Sequence, residues 1–242
     1  MTVPVSDRRI VAMGGGGFLM RPDNGLLDGF VLDLGRERSG RDRPRICFVP
    51  TAGGDSDASV VEFYAAFADQ AEPRHLALFA RTIRDIESFL VWQDVVYVGG
   101  GNTANMLAIW RLQGVDRAMR AAWEAGVVMA GMSAGAICWF EACTTDSFGQ
   151  QLQPLRDGLG VLGGSYVPHY HGEAQRQPLF HRLVAEETLP AGFGVDDGAA
   201  LVYHGTELHE VVSASADAAA YRVEKIDDEV RETPLPVRFL GA

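Results

Sequence analysis

Short apolar runs alternate with longer amphipathic segments along the first two thirds of the chain. Runs typical of buried strands occur at residues 9–13, 45–49, 75–79, 94–98 and 127–130. Segments with apolar residues at helical spacing occur at 24–34, 56–71, 84–91, 102–112, 115–124 and 134–140. Strands that alternate with helices predict a mostly parallel sheet with helices on both faces.

The last third of the chain departs from this alternation. A helix is predicted at 173–187, and short strands are predicted at 199–203, 207–213, 221–225 and 237–240. Gly205 lies between the first two of these strands and indicates an antiparallel hairpin. Because no repeat, low-complexity linker or clear boundary interrupts the chain, we expect a single domain over residues 1–242.

Composition and charge narrow the class of protein. Hydrophobic residues make up 47% of the 242 residues and charged residues 22%, which is typical of a globular protein. Lys and Arg number 21 against 32 Asp and Glu, and the net charge of −11 argues against binding to nucleic acid or to anionic membranes. Because we find no secretory h-region and no apolar run long enough to span a membrane, we expect a cytoplasmic protein.

The three cysteines, Cys47, Cys138 and Cys143, lie in apolar stretches and form no CxxC pair. An odd number of cysteines in this setting is typical of a reducing compartment. We therefore expect buried, reduced thiols and no zinc site.

Glycine-rich turns follow three of the predicted strands, at residues 14–17, 99–101 and 131–135. In a parallel sheet such turns share the edge outside the carboxyl ends of the strands, where ligands bind. The third turn, Gly-Met-Ser-Ala-Gly, has the G-x-S-x-G spacing of a nucleophile elbow centred on Ser133. The helix that follows supplies free N–H groups and a positive dipole end, which favour an oxyanion. A tight turn with a serine N-cap is the structural alternative.

The second turn, Gly99-Gly100-Gly101-Asn102-Thr103, also joins a predicted strand to a helix. Its glycines allow backbone N–H groups to face a ligand, as in an oxyanion hole or a phosphate-binding loop, and Asn102 or Thr103 is a candidate helix cap. No Lys-Ser/Thr pair follows the glycines, which excludes a P-loop. The first turn lacks G-x-G-x-x-G spacing, so a close backbone approach near the active site is favoured over dinucleotide binding.

A serine nucleophile requires a base, and the chain has six histidines. His169 and His171 lie in a loop-like segment, and their spacing leaves either of them as the base. The other four are predicted to be structural or solvated: His75, His181, His204 and His209. Asp196 and Asp197 are candidates for the carboxylate that orients the base, although an Asx-type turn explains them better from the residues alone. The chain order Ser, His, Asp differs from that of α/β-hydrolases.

With these motifs in place, the sequence resembles the peptidase E (aspartyl dipeptidase) family, which includes cyanophycinase. The resemblance covers roughly residues 10–224. It rests on GGGNT at 99–103 with NMLAIWR at 105–111, GMSAGA at 131–136 and PHY at 168–170, supported by GFGVDDGAAL at 192–201. It implies a flavodoxin-like fold related to class I glutamine amidotransferases.

The resemblance also implies site residues. Ser133 would be the nucleophile, and His169, which follows Pro168 and precedes an aromatic residue, would be the catalytic histidine in preference to His171. The oxyanion hole would be formed by the backbone of Ala134 and of either Gly100 or Gly101.

One position departs from the family pattern. Dipeptidase E and cyanophycinase carry Glu as the third catalytic residue, whereas this chain has Asp197, which is one methylene shorter. Asp196 is the alternative third residue. The departure bears on substrate class and efficiency more than on the fold.

The implied activity is hydrolysis of short peptides, with the N-terminal Asp preference of dipeptidase E or the β-Asp-Arg specificity of cyanophycinase. Arg176 is a candidate cation for a substrate carboxylate, and its alternative role is a solvated helix arginine. Asn102 and Thr103 are further candidates for substrate binding. The resemblance implies no metal and no organic cofactor, and it leaves the oligomeric state open.

Two other functions are compatible with the sequence. A glutaminase or amidotransferase-like enzyme would carry Cys at the elbow, whereas this chain has Ser133 there and Cys138 five residues further on. The other is a non-catalytic ligand-binding protein on the same fold.

Overall fold

A computed structural model describes residues 2–149 and 151–241, which form fourteen β-strands and seven α-helices. The strands are β1 (Arg9–Met13), β2 (Arg45–Val49), β3 (Glu72–His75), β4 (Val95–Val98), β5 (Val128–Met132), β6 (Phe140–Thr145), β7 (Gln153–Leu155), β8 (Leu162–Val167), β9 (Gly192–Val195), β10 (Ala199–His204), β11 (Glu207–Ser213), β12 (Ala220–Ile226), β13 (Glu229–Pro234) and β14 (Val237–Phe239). The helices are α1 (Leu26–Ser39), α2 (Asp57–Phe67), α3 (Ile86–Val91), α4 (Thr103–Gln113), α5 (Val115–Glu124), α6 (Ala134–Ile137) and α7 (Arg176–Ala185).

The main sheet contains eight strands in the order β14-β11-β10-β1-β5-β4-β2-β3. The five strands β1 to β5 are parallel to one another, which confirms the predicted mostly parallel sheet. β10 and β11 form the predicted antiparallel hairpin, and β10 pairs with β1. Every residue of β4 and β5 is buried, as expected for strands that helices cover on both faces.

Successive residues of β1 point into two separate hydrophobic clusters, one on each face of the main sheet. Ile10 belongs to the cluster that contains Trp110 of α4, whereas Val11 belongs to the cluster that contains Phe63 of α2. The alternation follows from the two-residue period of a strand. Both faces of the sheet are therefore covered by helices, as the hydrophobic pattern predicts.

The predicted third strand, at residues 75–79, is wrong in position. β3 is Glu72–His75, an edge strand that pairs in parallel with β2. Its residues Glu72, Pro73 and Arg74 show no apolar alternation. Backbone hydrogen bonds to its one neighbour, β2, hold this edge strand in the sheet, so it needs no apolar face. Leu76 and Leu78, which suggested the strand, are buried just beyond its end.

Six strands form a second sheet, in the order β13-β12-β9-β8-β6-β7. β8 is parallel to both of its neighbours, β6 and β9, so that β8 and β9 end at one edge. The helix predicted at 134–140 stops at Ile137, and β6 begins at Phe140. The Phe140 ring is fully buried and stacks on Tyr166 of β8 with the ring centroids 4.8 Å apart, so tertiary packing favours a strand there.

The cysteines are buried and form no disulfide in the described residues, in agreement with the prediction. Burial raises the pKa of all three thiols, to about 12 for Cys143. They therefore behave as small apolar side chains in the core.

A carboxyl group is buried in the first turn of α1. Asp28 is 7% exposed and accepts a hydrogen bond of 3.0 Å from the hydroxyl group of Tyr97. Burial raises the pKa of Asp28 to about 6, while hydrogen bonds from Tyr97 and from the Phe18 backbone oppose the rise. The ionised form of Asp28 therefore destabilises the folded protein.

We expect Asp28→Asn to stabilise the protein at about pH 8 and to have little effect near pH 4. Because the pKa of folded Asp28 is raised from 3.8 to about 6, the stability provided by its bound proton is present below about pH 4 and is lost as the pH rises through 6. The difference corresponds to about 3 kcal/mol in the free energy of unfolding. Asn keeps an acceptor for the Tyr97 hydroxyl.

Urea titrations at the two pH values measure this effect. Asp33→Asn is the matched control, because Asp33 lies on the same helix with its side chain 66% exposed. A stabilisation by Asp28→Asn that is equal at both pH values would contradict the prediction.

Candidate active site

Ser133 stands at the turn between β5 and α6, in a backbone conformation that residues with a side chain seldom adopt. Its φ is 51° and its ψ is −116°. Its N–H donates to the carbonyl of Met13 at 3.1 Å, and its carbonyl accepts from the N–H of Ile137 at 2.8 Å. These bonds to β1 and α6 hold the turn in its strained form, as at a nucleophile elbow.

The glycines on either side of Ser133 are required for packing. A Cβ atom on Gly131 would overlap the carbonyl of Gly135, and a Cβ atom on Gly135 would overlap the carbonyl of Val98. Neither glycine has a positive φ, so close approach of backbone to backbone, not conformational freedom, explains both. The G-x-S-x-G spacing thus reflects how tightly β5, α6 and β4 pack.

His169 follows Pro168 at the end of β8 and faces Ser133. Its Nε2 atom lies 2.9 Å from Ser133 Oγ. Like Ser133, it has a positive φ, of 51°. Its N–H donates to the carbonyl of Gly14 at 3.3 Å, and its carbonyl accepts from the N–H of Glu173 at 3.0 Å. Backbone hydrogen bonds on both sides therefore fix the position of the imidazole.

Asp197, two residues after β9, completes a chain of hydrogen bonds. Its Oδ1 atom lies 2.5 Å from Nδ1 of His169. The hydrogen bond from His169, together with the positive charges of Arg21 and Arg176, holds the pKa of Asp197 below its ordinary value in spite of partial burial. An ionised Asp197 accepts from the Nδ1–H group, which leaves Nε2 of His169 as the acceptor for the Ser133 hydroxyl.

The first glycine turn, residues 14–17, brings the main chain against this triad. A Cβ atom on Gly15 would overlap Asp197 Oδ1 and would lie 2.8 Å from Cε1 of His169. A Cβ atom on Gly14 would overlap the carbonyls of Val195 and Asp196. The sequence predicts a close backbone approach of this turn to the site. It does not predict that Gly15 lies against Asp197 and His169. The run of glycines after β1 was its only signal.

The alternative residues His171 and Asp196 are paired with each other. Both the N–H and the Nδ1 atom of His171 lie close to Asp196 Oδ1, at 3.1 and 2.9 Å. The second oxygen of Asp196 accepts from the N–H of Ala219 at 3.2 Å. The structure therefore brings His169 and Asp197 to Ser133, whereas His171 and Asp196 form a separate pair that links the loops after β8 and β9.

Two of the residues predicted for the oxyanion hole, Gly100 and Ala134, lie next to Ser133. A Cβ atom on Gly100 would lie 3.5 Å from Cβ of Ser133, and Ala134 is the first residue of α6. Gly101 has a φ of 136°, and a Cβ atom there would overlap the carbonyl of Ala52. Within residues 2–149 and 151–241, the N–H groups of Gly100, Gly101 and Ala134 donate to no backbone carbonyl.

Asn102 and Thr103, which are predicted to bind substrate, lie at the start of α4. The Asn102 side chain caps α4, because its Oδ1 atom accepts from the N–H of Asn105 at 2.9 Å. Its Nδ2 atom donates to the carbonyl of Ser147 at 3.0 Å. Thr103 is 1% exposed in the first turn of α4. Asn102 is therefore the helix cap that the alternative interpretation predicts.

Arg176 is buried, not solvated, at the start of α7. It is 3% exposed, its Nε atom donates to Glu173 Oε2 at 2.9 Å, and its guanidinium donates to the carbonyl of Thr144 at 3.3 Å. The alternative of a solvated helix arginine is therefore wrong. Arg21, which no sequence motif singles out, is exposed and lowers the pKa of Asp197 as Arg176 does.

In the part of the chain that the structure describes, no group of three or more His, Cys, Asp or Glu side chains is arranged to hold a metal ion. No helix there has both the length and the apolar character needed to cross a membrane.

Comparisons with known proteins identify the relatives of this chain. The family model described as peptidase family S51 matches residues 10–211. A Bacillus subtilis (strain 168) protein, the uncharacterized peptidase YgaJ, is 49% identical over 235 residues, which cover 97% of this chain and all of that protein.

Two solved structures share the fold at 18% identity, and each match covers 95% of this chain. One is a peptidase from an acI-B1 Actinobacterium, with a TM-score of 0.72 over 94% of that chain. The other, from Listeria monocytogenes EGD-e, was solved as a candidate peptidase E protein and has a TM-score of 0.57 over 99% of that chain. They confirm the expected flavodoxin-like α/β class.

We expect Gly15→Ala to push the Asp197 carboxylate away from His169, because the added methyl group occupies the position of Asp197 Oδ1. A displacement of about 1 Å slows a positioned reaction by about 100-fold. The rate at which a fluorophosphonate labels Ser133 measures the change. Gly29→Ala is the matched control, because a Cβ atom at Gly29 meets nothing within 4 Å. Equal labelling rates in the two variants would show that the close approach of Gly15 has no such role.

Proposed function

The chain belongs to peptidase family S51, and we propose that it hydrolyses short peptides with Ser133 as the nucleophile, His169 as the general base and Asp197 as the carboxylate that orients the histidine. The observation that carries this proposal is the continuous chain of hydrogen bonds from Asp197 through His169 to Ser133. Three separate elements supply these side chains, so local structure alone does not account for their meeting at one point.

The proposed reaction proceeds through an acyl-enzyme. Nε2 of His169 takes the proton of the Ser133 hydroxyl as Oγ forms a bond to the carbonyl carbon of the peptide. The tetrahedral intermediate breaks its C–N bond, and the leaving amine receives that proton from His169. A water molecule, deprotonated by His169, then attacks the ester, and the acid product leaves as Ser133 regains its proton.

Backbone N–H groups would stabilise the oxyanion. Ala134 presents its N–H at the start of α6, and Gly100 lies beside Ser133, with Gly101 next in the chain. Because their N–H groups donate to no backbone carbonyl in the described residues, they are available to a substrate oxygen. Two such donors are the usual composition of an oxyanion hole in acyl transfer.

The shorter side chain of Asp197 is compatible with this mechanism. The family resemblance predicts Glu at this position, and Asp has one methylene less. The 2.5 Å distance to His169 and the absence of a side chain on Gly15 support Asp197 as a sufficient partner. Asp196 is committed to His171 and so is a poor substitute.

We propose a dipeptidase with a preference for an N-terminal Asp as the specific activity. Arg21 and Arg176 both provide positive potential at the site, as the lowered pKa of Asp197 indicates, and the exposed Arg21 is accessible to a substrate carboxylate. The positive charges of Arg21 and Arg176 are also compatible with cleavage of β-Asp-Arg units, which is the alternative specificity.

A glutaminase that uses a cysteine nucleophile is a weaker candidate. The Cys138 thiol is fully buried, it lies 3.2 Å from the carbonyl of Gly135, and burial raises its pKa well above its ordinary value. A thiol with a raised pKa is a poor nucleophile at neutral pH. Loss of activity on reaction with a cysteine reagent would revive this candidate.

For Asp197→Asn we expect kcat to fall by up to about 10⁴-fold, because an amide at this position favours the wrong tautomer of His169. Asp196→Asn is the matched comparison, because Asp196 precedes Asp197 in the chain but binds His171. Steady-state kinetics of both variants measure the difference. A larger loss in Asp196→Asn than in Asp197→Asn would transfer the orienting role to Asp196.

Ser133→Ala should abolish hydrolysis and leave the fold intact, because the variant lacks the attacking oxygen. A panel of Asp-X, β-Asp-Arg, Glu-X and neutral dipeptides, tested on wild type and on this variant, measures activity and specificity together. Ser6→Ala, at an exposed serine far along the chain from the elbow, is the control variant. Turnover by Ser133→Ala near the wild-type level would refute the assignment, and no turnover of any peptide by wild type would favour a binding protein.

A further inference from the structure

A cavity of about 460 Å³ lies between α1 and α2, apart from the triad. Its walls come from α1, from α2 and from the segment 18–22 that follows the first glycine turn. None of Ser133, His169 and Asp197 lines it. Its volume is within the range of about 300–1,000 Å³ that is typical of small-molecule sites.

The side chains that line this cavity are apolar or acidic, apart from the neutral Gln70. Phe18, Leu32 and Phe67 are buried and supply apolar surface. Asp28 is almost fully buried at the inner wall, whereas Glu62 is exposed on α2. No Lys, Arg or His is among the lining residues. The walls are thus complementary to a ligand with an apolar body and a positive charge.

Asp28 is held in a fixed orientation by groups from two other elements. The Tyr97 hydroxyl of β4 donates to Asp28 Oδ1 at 3.0 Å, and Tyr97 is itself fully buried. Gly17 makes room for this pair, because a Cβ atom there would overlap the Tyr97 hydroxyl and lie 3.0 Å from Asp28 Oδ1. An ionised carboxylate has about four acceptor sites, so Asp28 keeps the capacity for a further donor besides Tyr97 and the Phe18 backbone.

Removal of a carboxylate from water is costly unless a cation or several donors compensate. In the described residues Asp28 forms no ion pair with Lys, Arg or His, and its hydrogen bonds come from Tyr97 and from the Phe18 backbone. Natural sequences retain such uncompensated groups where they serve function more often than elsewhere. A ligand cation would provide the compensation that the chain itself lacks.

We propose that the cavity between α1 and α2 binds a small organic amine, with its ammonium group on the Asp28 carboxylate and its apolar part against Phe18, Leu32 and Phe67. Because Asp28 already accepts hydrogen bonds from Tyr97 and from the Phe18 backbone, a compact ammonium group suits it better than a guanidinium, which binds through both carboxylate oxygens. This site is independent of the proposed peptidase mechanism.

The test compares 2-phenylethylamine with 2-phenylethanol at about pH 8, by titration calorimetry and by NMR. The two probes have nearly the same shape, but only the amine carries a charge. We expect the amine to bind wild-type protein about 10- to 100-fold more tightly than the alcohol, which is the usual contribution of a hydrogen bond to a charged group. Asp28→Asn should remove this preference and retain the fold, because Asn still accepts from Tyr97.

Three further variants establish whether the amine occupies this cavity. Ser133→Ala should bind the amine as wild type does, because Ser133 does not line the cavity. Glu62→Gln, at the exposed rim, should weaken the amine far less than Asp28→Asn does. Ala66→Trp, which places a large ring on the α2 wall, should weaken both probes.

The proposal would be overturned if wild-type protein showed no saturable binding of the amine or bound the amine and the alcohol equally. It would also be overturned if Asp28→Asn kept the preference for the amine. Loss of amine binding in Ser133→Ala would place the amine in the catalytic cleft instead. Failure of the peptide panel would leave the binding result unaffected, so the two proposals fail independently.

Discussion

The arrangement of the site depends on a close approach between the glycine turn after β1 and the loop after β9. The N–H of Gly14 donates to the carbonyl of Ala199, the N–H of Gly198 donates to the carbonyl of Gly15, and the N–H of His169 donates to the carbonyl of Gly14. The first bond lies within the main sheet, whereas the last joins the turn after β1 to the loop after β8 of the second sheet. Because a Cβ atom on Gly15 would overlap Asp197 Oδ1, glycine is what allows Ser133, His169 and Asp197 to be linked by hydrogen bonds.

The same glycine turn separates two carboxyl groups with opposite electrostatic environments. Beside Gly15, the hydrogen bond from His169 and two arginine charges lower the pKa of Asp197, so it is an anion at neutral pH. Beside Gly17, burial without a basic partner raises the pKa of Asp28 to about 6. One carboxylate is thus compensated within the chain, whereas the other is compensated only partly, by hydrogen bonds. This difference accompanies the geometry that motivates the two proposals: Asp197 is hydrogen-bonded to His169, whereas Asp28 lines a separate cavity.

Much of the main sheet could be predicted from the sequence, because β1, β2, β4 and β5 are locally apolar and three of them, β1, β4 and β5, end in glycine turns. Of the second sheet, β12 was predicted, at residues 221–225, but β8 and β9 were not paired with it. β8 and β9 contain glycines that weaken any strand pattern, and these glycines serve packing: a Cβ atom on Gly192 would overlap the carbonyl of Ser165. The edge strand β3 was misplaced for a related reason, since pairing with a neighbour rather than apolar periodicity holds it in the sheet.

The sequence by itself determined the parallel sheet, the elbow spacing around Ser133 and a helix cap at Asn102 or Thr103, because each depends on residues within a few positions of one another. From the residues alone, either His169 or His171 could be the base, and either Asp196 or Asp197 could orient it, because spacing along a loop does not show which side chain faces Ser133. Only the family resemblance favours His169 and Asp197. The tertiary structure decided these pairs. His169 and Asp197 are 28 residues apart in the chain, and they meet because β8 and β9 are parallel neighbours that end at one edge. The burial of Asp28 under α1 likewise depends on Tyr97, a contact 69 residues away that no local pattern contains.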